Sequence, residues 1–377
     1  MNKIIEKIKP TVMQVFNHLH HHPEISWQEV NTTEYIVNML RENGWKTTSF
    51  EDCTGVIGEI GSGRPVVAVR ADMDALWQEV NGIFCANHSC GHDAHMTIVL
   101  GVMFALKEMN YEPKGTIKLI FQPAEEKGTG ALKFVEKGVI DDVDFLYGVH
   151  LRPFQELDNG FATPAIHHGS ARFIEGEIKG TDVHGARPHL GANAIEVGAE
   201  LVSLLQGIHL DPMVPYSAKV TKFMAGGDSA NIIPGNARFS LDLRAQSNEG
   251  MKKLTSRVEK IANTLANYYD VDIQLSQAAY IAAAEVNAEA TEMMSQTIKE
   301  ILGEEKHKAP IITTGGDDFH FYTLKRPHLK ATMLGLGCDL KPGLHHPHMT
   351  FDKEALLKGT EILTKVVLST INKPDNE

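Results

Sequence analysis

The chain has 377 residues, and 36 Lys+Arg against 48 Asp+Glu give a formal net charge of −12 at pH 7. The acidic balance is spread along the chain with no long single-sign block, and it argues against nucleic acid or an anionic membrane as the main partner. The length suffices for a large core in one or two domains. The start, Met1-Asn2-Lys3-Ile4-Ile5-Glu6, lacks the apolar core of a signal peptide, and no apolar run reaches the roughly 18 residues of a membrane span. Cys53, Cys85, Cys90 and Cys338 are accordingly read as reduced thiols of a cytoplasmic protein.

In chain order, Ile4, Ile5, Ile8, Val12, Val15, Phe16 and Leu19 recur at helical spacing. Residues 34–43 read as a second helix, stopped by Gly44. The β-branched runs 56–60 and 65–70 are separated by Gly61-Ser62-Gly63, a hairpin signal. Residues 96–109 read as a helix, 116–121 as a strand, 131–136 as a short helix and 145–149 as a strand. That alternation implies an α/β sheet flanked by helices. Beyond about residue 170 the segments 172–179, 192–208, 218–224, 237–244, 249–268 and 272–276 run β-α-β-β-α-β, the order of a ferredoxin-like unit. α/β patterning resumes at about residue 285, with a strand at 331–335 and a closing helix at 353–371. The expected fold is α/β: a main domain with a mixed β-sheet over 1–169 and 284–377, and an inserted ferredoxin-like α+β satellite domain over 170–283.

Chemistry concentrates in Ser89-Cys90-Gly91-His92-Asp93-Ala94-His95 and in Glu125-Glu126. A thiolate and imidazoles beside a spare carboxylate make the donor set of a hydrolytic metal site. In extended chain, Cys90 and His92 point to one side. Asp93 could orient the neighbouring ligand. The competing reading is a free cysteine with two surface histidines at a helix start. Glu125-Glu126 follows the strand 116–121, and sites in open α/β sheets lie beyond carboxyl ends of strands. One carboxylate can bind metal while the other carries a proton; an isolated acidic pair is otherwise a solvated turn. Asp72 and Asp74 also sit at a strand end, as acceptors behind ligands or as loop caps. His150 ends the strand 145–149, and His345 lies in a loop before the last helix. His20-His21-His22 belongs to a helix terminus. No phosphate loop and no G-x-S-x-G elbow is present. A Cys90 nucleophile paired with histidine is the rival chemistry.

Together these segments resemble the M20 metallopeptidase and aminoacylase family, within it subfamily D: the hippurate hydrolases, indole-acetyl-amino-acid hydrolases and AmhX-type amidohydrolases. The matching motifs are Leu19-His20-His21-His22-Pro23-Glu24, Arg70-Ala71-Asp72-Met73-Asp74, Cys90-Gly91-His92-Asp93, Gln122-Pro123-Ala124-Glu125-Glu126 and Gly148-Val149-His150. His184-Gly185-Ala186-Arg187-Pro188, Ala230-Asn231-Ile232-Ile233-Pro234, Gly315-Gly316-Asp317-Asp318-Phe319 and Leu344-His345-His346-Pro347 follow in the family's order.

The resemblance implies a zinc-peptidase-like catalytic domain with two divalent metal ions bound by Cys90, His92, Glu126, His150 and His345. Cys90 would bridge them, and Asp72 and Asp93 would stand behind the ligands. Zinc is the default ion, with manganese or cobalt as alternatives. Glu125 would be the general base on a metal-bound water, and His184 would help hold the oxyanion. Asn231 and Arg244 would hold the substrate's carboxylate. The implied enzyme is a cytoplasmic metallo-amidohydrolase acting on small N-acyl amino acids, a homodimer through its satellite domain, with no nucleic-acid or membrane partner. A non-catalytic metal-retaining binding protein and a dipeptidase of the same family are the alternatives. Trp77 stands where the family usually has proline, the stretch 78–87 is shorter than in many relatives, and Asp317 replaces a usual glutamate. Hippurate or auxin-conjugate specificity therefore does not transfer.

Overall fold

A computed structural model describes residues 1–373. The chain divides into two compact units. Residues 1–166, 285–311 and 318 onward form the first; residues 167–284 and 312–317 form the second.

The first unit begins with α1 (Asn2–His21), α2 (Val30–Glu42), β1 (Lys46–Ser49), β2 (Val56–Gly61) and β3 (Val66–Asp72). Then come β4 (Leu76–Val80), β5 (Ile83–Asn87), α3 (His92–Glu108), β6 (Thr116–Gln122), α4 (Gly130–Glu136) and β7 (Phe145–Pro153). After the second unit's main segment it resumes with the helix Ala288–Leu302, the strand Lys330–Leu340 and the helix Glu354–Ile371. Its sheet runs β1-β2-β6-β3-β7, then Lys330–Leu340 and Ala162–Thr163. The central strands β6, β3, β7 and Lys330–Leu340 are parallel. Every residue of β3 and β7 is buried, which explains the unbroken Val66-Val67-Ala68-Val69 run: a central parallel strand is covered on both faces. α3 is buried from His92 to Leu106, a helix lodged within the core. α1 is instead amphipathic and turns Ile5, Ile8, Val12, Val15, Phe16 and Leu19 inward.

Local detail departs from the sequence expectations in four places. β2 and β3 are not a hairpin: β6 lies between them, antiparallel to β2 and parallel to β3. The hairpin of this region is β4–β5, turned by Asn81-Gly82 with φ of 53° and 82°, the positive-φ pair that a tight hairpin turn requires. α3 starts at His92 rather than Met96, so Cys90-x-His92 is not extended chain. β7 continues to Pro153 and holds His150 within the strand.

The second unit is a four-stranded antiparallel sheet in the order Tyr216–Ala225, Ala237–Ala245, Ser170–Lys179, Asp272–Ile281. Its helices are Ala194–Gln206 and Asn248–Tyr269. Asn193 and Ser247 cap them, accepting from the Ile195 and Gly250 amides, each cap contributing about 1 kcal/mol. Val197, Leu201, Leu205, Leu241, Leu243, Leu254 and Val258 fill its core. Among the described residues no helix is long and apolar enough to cross a membrane.

Candidate metal centre

The central parallel strands of the first unit carry the site toward their carboxyl ends. Asp72 and Gln122 end β3 and β6 in register. Arg70 aligns with Gly148 in β7, so His150 follows two residues further on. Cys90 enters through Gly91, whose φ of +86° is left-handed. A Cβ there would also lie 3.2 Å from Leu151 Cδ1, which would have to give way slightly, so it is the backbone that calls for glycine.

Two triads of possible ligand atoms share one sulfur. Cys90, His92 and His150 form the first and Cys90, Glu126 and His345 the second, the atoms of each lying within 4.8 Å of one another. Cys90 Sγ is 3.7 Å from His150 Nε2, and His345 Nε2 is 3.4 Å from Glu126 Oε1. Glu125 belongs to neither triad, and its Oε2 stands 3.8 Å from His92 Nε2. The Asp318 amide donates to Glu125 Oε1 at 3.4 Å.

The donor chemistry fits divalent cations. His92 is fully buried, yet neither ring nitrogen makes a hydrogen bond, and Glu126 Oε1 is in the same position. Buried polar atoms rarely go without a partner, and a cation among them would supply it. His150 Nδ1 donates to the Leu151 carbonyl at 2.7 Å, leaving the Nε2 lone pair directed at the shared sulfur. Burial holds His150 well below the ordinary histidine value, hence neutral. Burial, with Glu126 adding to it, pushes the Cys90 thiol well above its ordinary value; a bound cation reverses that balance and favours thiolate. Burial opposes a proton on His92, but Asp72, Cys90 and Asp74 outweigh it and leave its pKa well raised. Glu126 likewise raises His345.

A buried polar frame holds these donors. Asp74 accepts from the Ser26 hydroxyl at 2.6 Å and from the Glu125 and Glu126 amides at 3.0 Å each. Its Oδ1 lies 3.3 Å from His92 Nδ1. Asp74, rather than Asp93, is therefore the carboxylate beside His92 Nδ1. Asp93 turns the other way, to His20 Nδ1 at 2.6 Å and the Ala94 amide. The helix-end His20 thus has a buried partner that adjacency in sequence conceals. Asp72 accepts from His95 Nδ1 at 2.6 Å and from Arg70 Nη1 at 2.6 Å. His95 Nε2 in turn accepts the Leu151 amide, so both its nitrogens are engaged. An ion among Asp72, His92 and His95, close as they are, would have to break those bonds. Arg70, fully buried, also donates to Asp318 and Gln122. Glu29 accepts the Ala124 amide just before the glutamate pair. Nothing local in the sequence marks Glu29 or His20 for these tasks.

In the second unit a short bridge pairs Val183–His184 with Ile232–Ile233, and the Gly185 amide donates to the Asn231 carbonyl. His184 and Asn231 are therefore neighbours. His184 is exposed, and its Nδ1 accepts the Ala186 amide at 3.0 Å. Arg244 gives its guanidinium to Asp242 at 2.7 and 3.1 Å and lies over the Phe173 ring.

The profile of peptidase family M20/M25/M40 matches residues 68–369. The chain belongs to this family. Over 381 residues it is 31% identical to N-acetyl-L-cysteine deacetylase of Bacillus subtilis (strain 168), covering 95% of this chain and 88% of that one. Over 372 residues it is 27% identical to hippurate hydrolase of Campylobacter jejuni, covering 94% and 95%. A dinuclear metal-binding M20 peptidase of Bacillus subtilis matches with a TM-score of 0.82 at 27% identity, over 98% of this chain and 100% of that one. The M20 chain described here is a metallo-amidohydrolase with the fold of the dinuclear metal-binding peptidases.

Proposed function

We propose that this M20 enzyme hydrolyses the amide bond of N-acyl amino acids. Cys90, His92 and His150 would hold one divalent ion and Cys90, Glu126 and His345 the other. The observation carrying this reading is the single thiol shared by two donor triads beside a carboxylate, Glu125, that neither triad uses. Divalent ions bound there polarise the amide carbonyl and make water a better nucleophile near neutral pH. The protein's own task is proton traffic. Glu125 takes a proton from the attacking water and delivers it to the leaving nitrogen as the C–N bond breaks, giving a carboxylate and an amine. The Asp318 amide orients Glu125 for that exchange.

The substrate class rests on the relatives: an N-acetylcysteine deacetylase and a hippurate hydrolase both bear names describing an acyl group on an amino-acid nitrogen. Zinc suits a thiolate and imidazole set, with manganese or cobalt as alternatives. On the family resemblance we assign His184 to the oxyanion, Asn231 and Arg244 to the substrate carboxylate, and the second unit to homodimer formation. We also place the protein in the cytoplasm, in keeping with its unpaired Cys53, Cys85, Cys90 and Cys338. The test is Glu125→Gln, assayed for metal content and for turnover of N-acetyl and N-benzoyl amino acids. It should keep its metal and lose at least about 100-fold in kcat, the usual size of general acid–base catalysis. Near-normal turnover by this variant would remove Glu125 as the base.

A further inference from the structure

The β4–β5 hairpin contributes no donor to either triad, yet it grips the loop that supplies one. His345 is unlike the buried ligands: its side chain is 55% exposed, so packing alone does not fix its ring. Its φ of +63° is left-handed, an unfavourable conformation for a residue with a Cβ. Such a conformation persists only where the surroundings over-determine it. Both backbone polar groups of His345 are held. Its N–H donates to the carbonyl of Ser89, next to Cys90, at 2.7 Å. Its carbonyl accepts from Gln78 Nε2 at 3.1 Å. Asn87 Nδ2 donates to Gln78 Oε1 at 2.8 Å and to the Pro347 carbonyl at 3.0 Å. That bond decides which end of the Gln78 amide meets His345. The hairpin register, Leu76 opposite Asn87 and Gln78 opposite Cys85, puts Gln78 and Asn87 on one face as diagonal neighbours.

We infer that Gln78 and Asn87 are positioning residues for the second ion, a clamp on the His345 backbone that aims its exposed ring at Glu126. The inference rests on the proposed assignment of His345 as a ligand. It requires a selective effect, because the hydrogen bonds of the two clamp amides run to the backbone of His345 and Pro347, the loop of one ligand. Gln78→Glu keeps the shape, replaces the donor with an acceptor and sets it against the His345 carbonyl. Asn87→Asp removes the donor that orients Gln78.

The experiment titrates Zn2+ into metal-free full-length protein against a chromophoric chelator, for wild type, His345→Ala, Gln78→Glu and Asn87→Asp. Thermal unfolding of each metal-free variant is recorded alongside. Gln78→Glu should weaken one of the two ions about 10-fold or more, as loss of a group supporting a ligand does, leaving the other ion and the metal-free unfolding midpoint unchanged. Asn87→Asp should act on the same ion, so a poorly folded Gln78→Glu would not end the test. Two wild-type affinities in both clamp variants, with His345→Ala losing one, overturn the inference alone. Equal weakening of both ions overturns it as well, since the effect is then not positional. Unchanged binding in His345→Ala removes the ligand assignment, and the clamp with it.

Discussion

Replacing Asp74 by Asn separates the role of this carboxylate in the frame from any role in metal binding. The side chain keeps its shape, but one oxygen becomes an NH2 donor. Oδ1 serves the Glu125 amide and Oδ2 serves both the Glu126 amide and the Ser26 hydroxyl. With the NH2 at the Oδ1 position, the buried Glu125 amide loses its acceptor. With it at the Oδ2 position, the Ser26 hydroxyl can turn to accept, but the Glu126 amide cannot. Either way one backbone N–H is orphaned, at about 1–3 kcal/mol, and the remaining bonds lose their charge assistance, for roughly another 1 kcal/mol. The Oδ2 arrangement is the milder, because the Glu126 amide is only part-buried, so the expected loss is about 2–3 kcal/mol. The assay is urea unfolding of metal-free protein, followed by tryptophan fluorescence. A loss under about 0.5 kcal/mol, the scale of surface substitutions, would refute this account of the Asp74 frame.

Arg70→Met leaves Asp72 and Asp318 buried without their guanidinium and should cost about 3–5 kcal/mol; denaturant stability near that of wild type contradicts it. A third prediction concerns pH. The hydrogen bond to Asp93 raises the His20 pKa against the opposing effect of burial. The stabilisation is therefore fully present below the ordinary histidine value of about 6.5 and is lost as pH rises through the higher folded value. The stability gap between wild type and His20→Gln, both metal-free, should be larger at pH 6 than at pH 9; a gap of constant size would show that the pair does not titrate as described.

The parts of the fold visible in the sequence are those set by local periodicity. The Ile5-to-Leu19 stripe and the β-α-β-β-α-β order of the insertion are repeated local signals, and each survives in the structure. The β2–β3 pairing is not legible, because Gly61-Ser62-Gly63 reports a turn but not which strand lies beside it; β6, from distant sequence, takes the intervening place. The Asn81-Gly82 dipeptide is a turn signal, but the strands it joins are short and half exposed and carry little apolar alternation to mark them. At the site, the donor types and the place of Glu125-Glu126 just beyond β6 were legible, whereas His150 lies inside β7 rather than at its end. The frame was less so: sequence adjacency favoured Asp93 as the partner of His92, whereas the β3 chain end brings Asp74 there instead.

The order of strands has a consequence for synthesis of the chain. β7 pairs on one side with β3, already made, and on the other with Lys330–Leu340, which leaves the ribosome only after the whole second unit. For that interval the buried strand carrying His150 has an unpaired parallel edge, the kind of surface that invites association between nascent chains. Because the second unit has its own core, it can fold within that interval. The first unit's sheet must wait for its last central strand, and His345 arrives directly behind it.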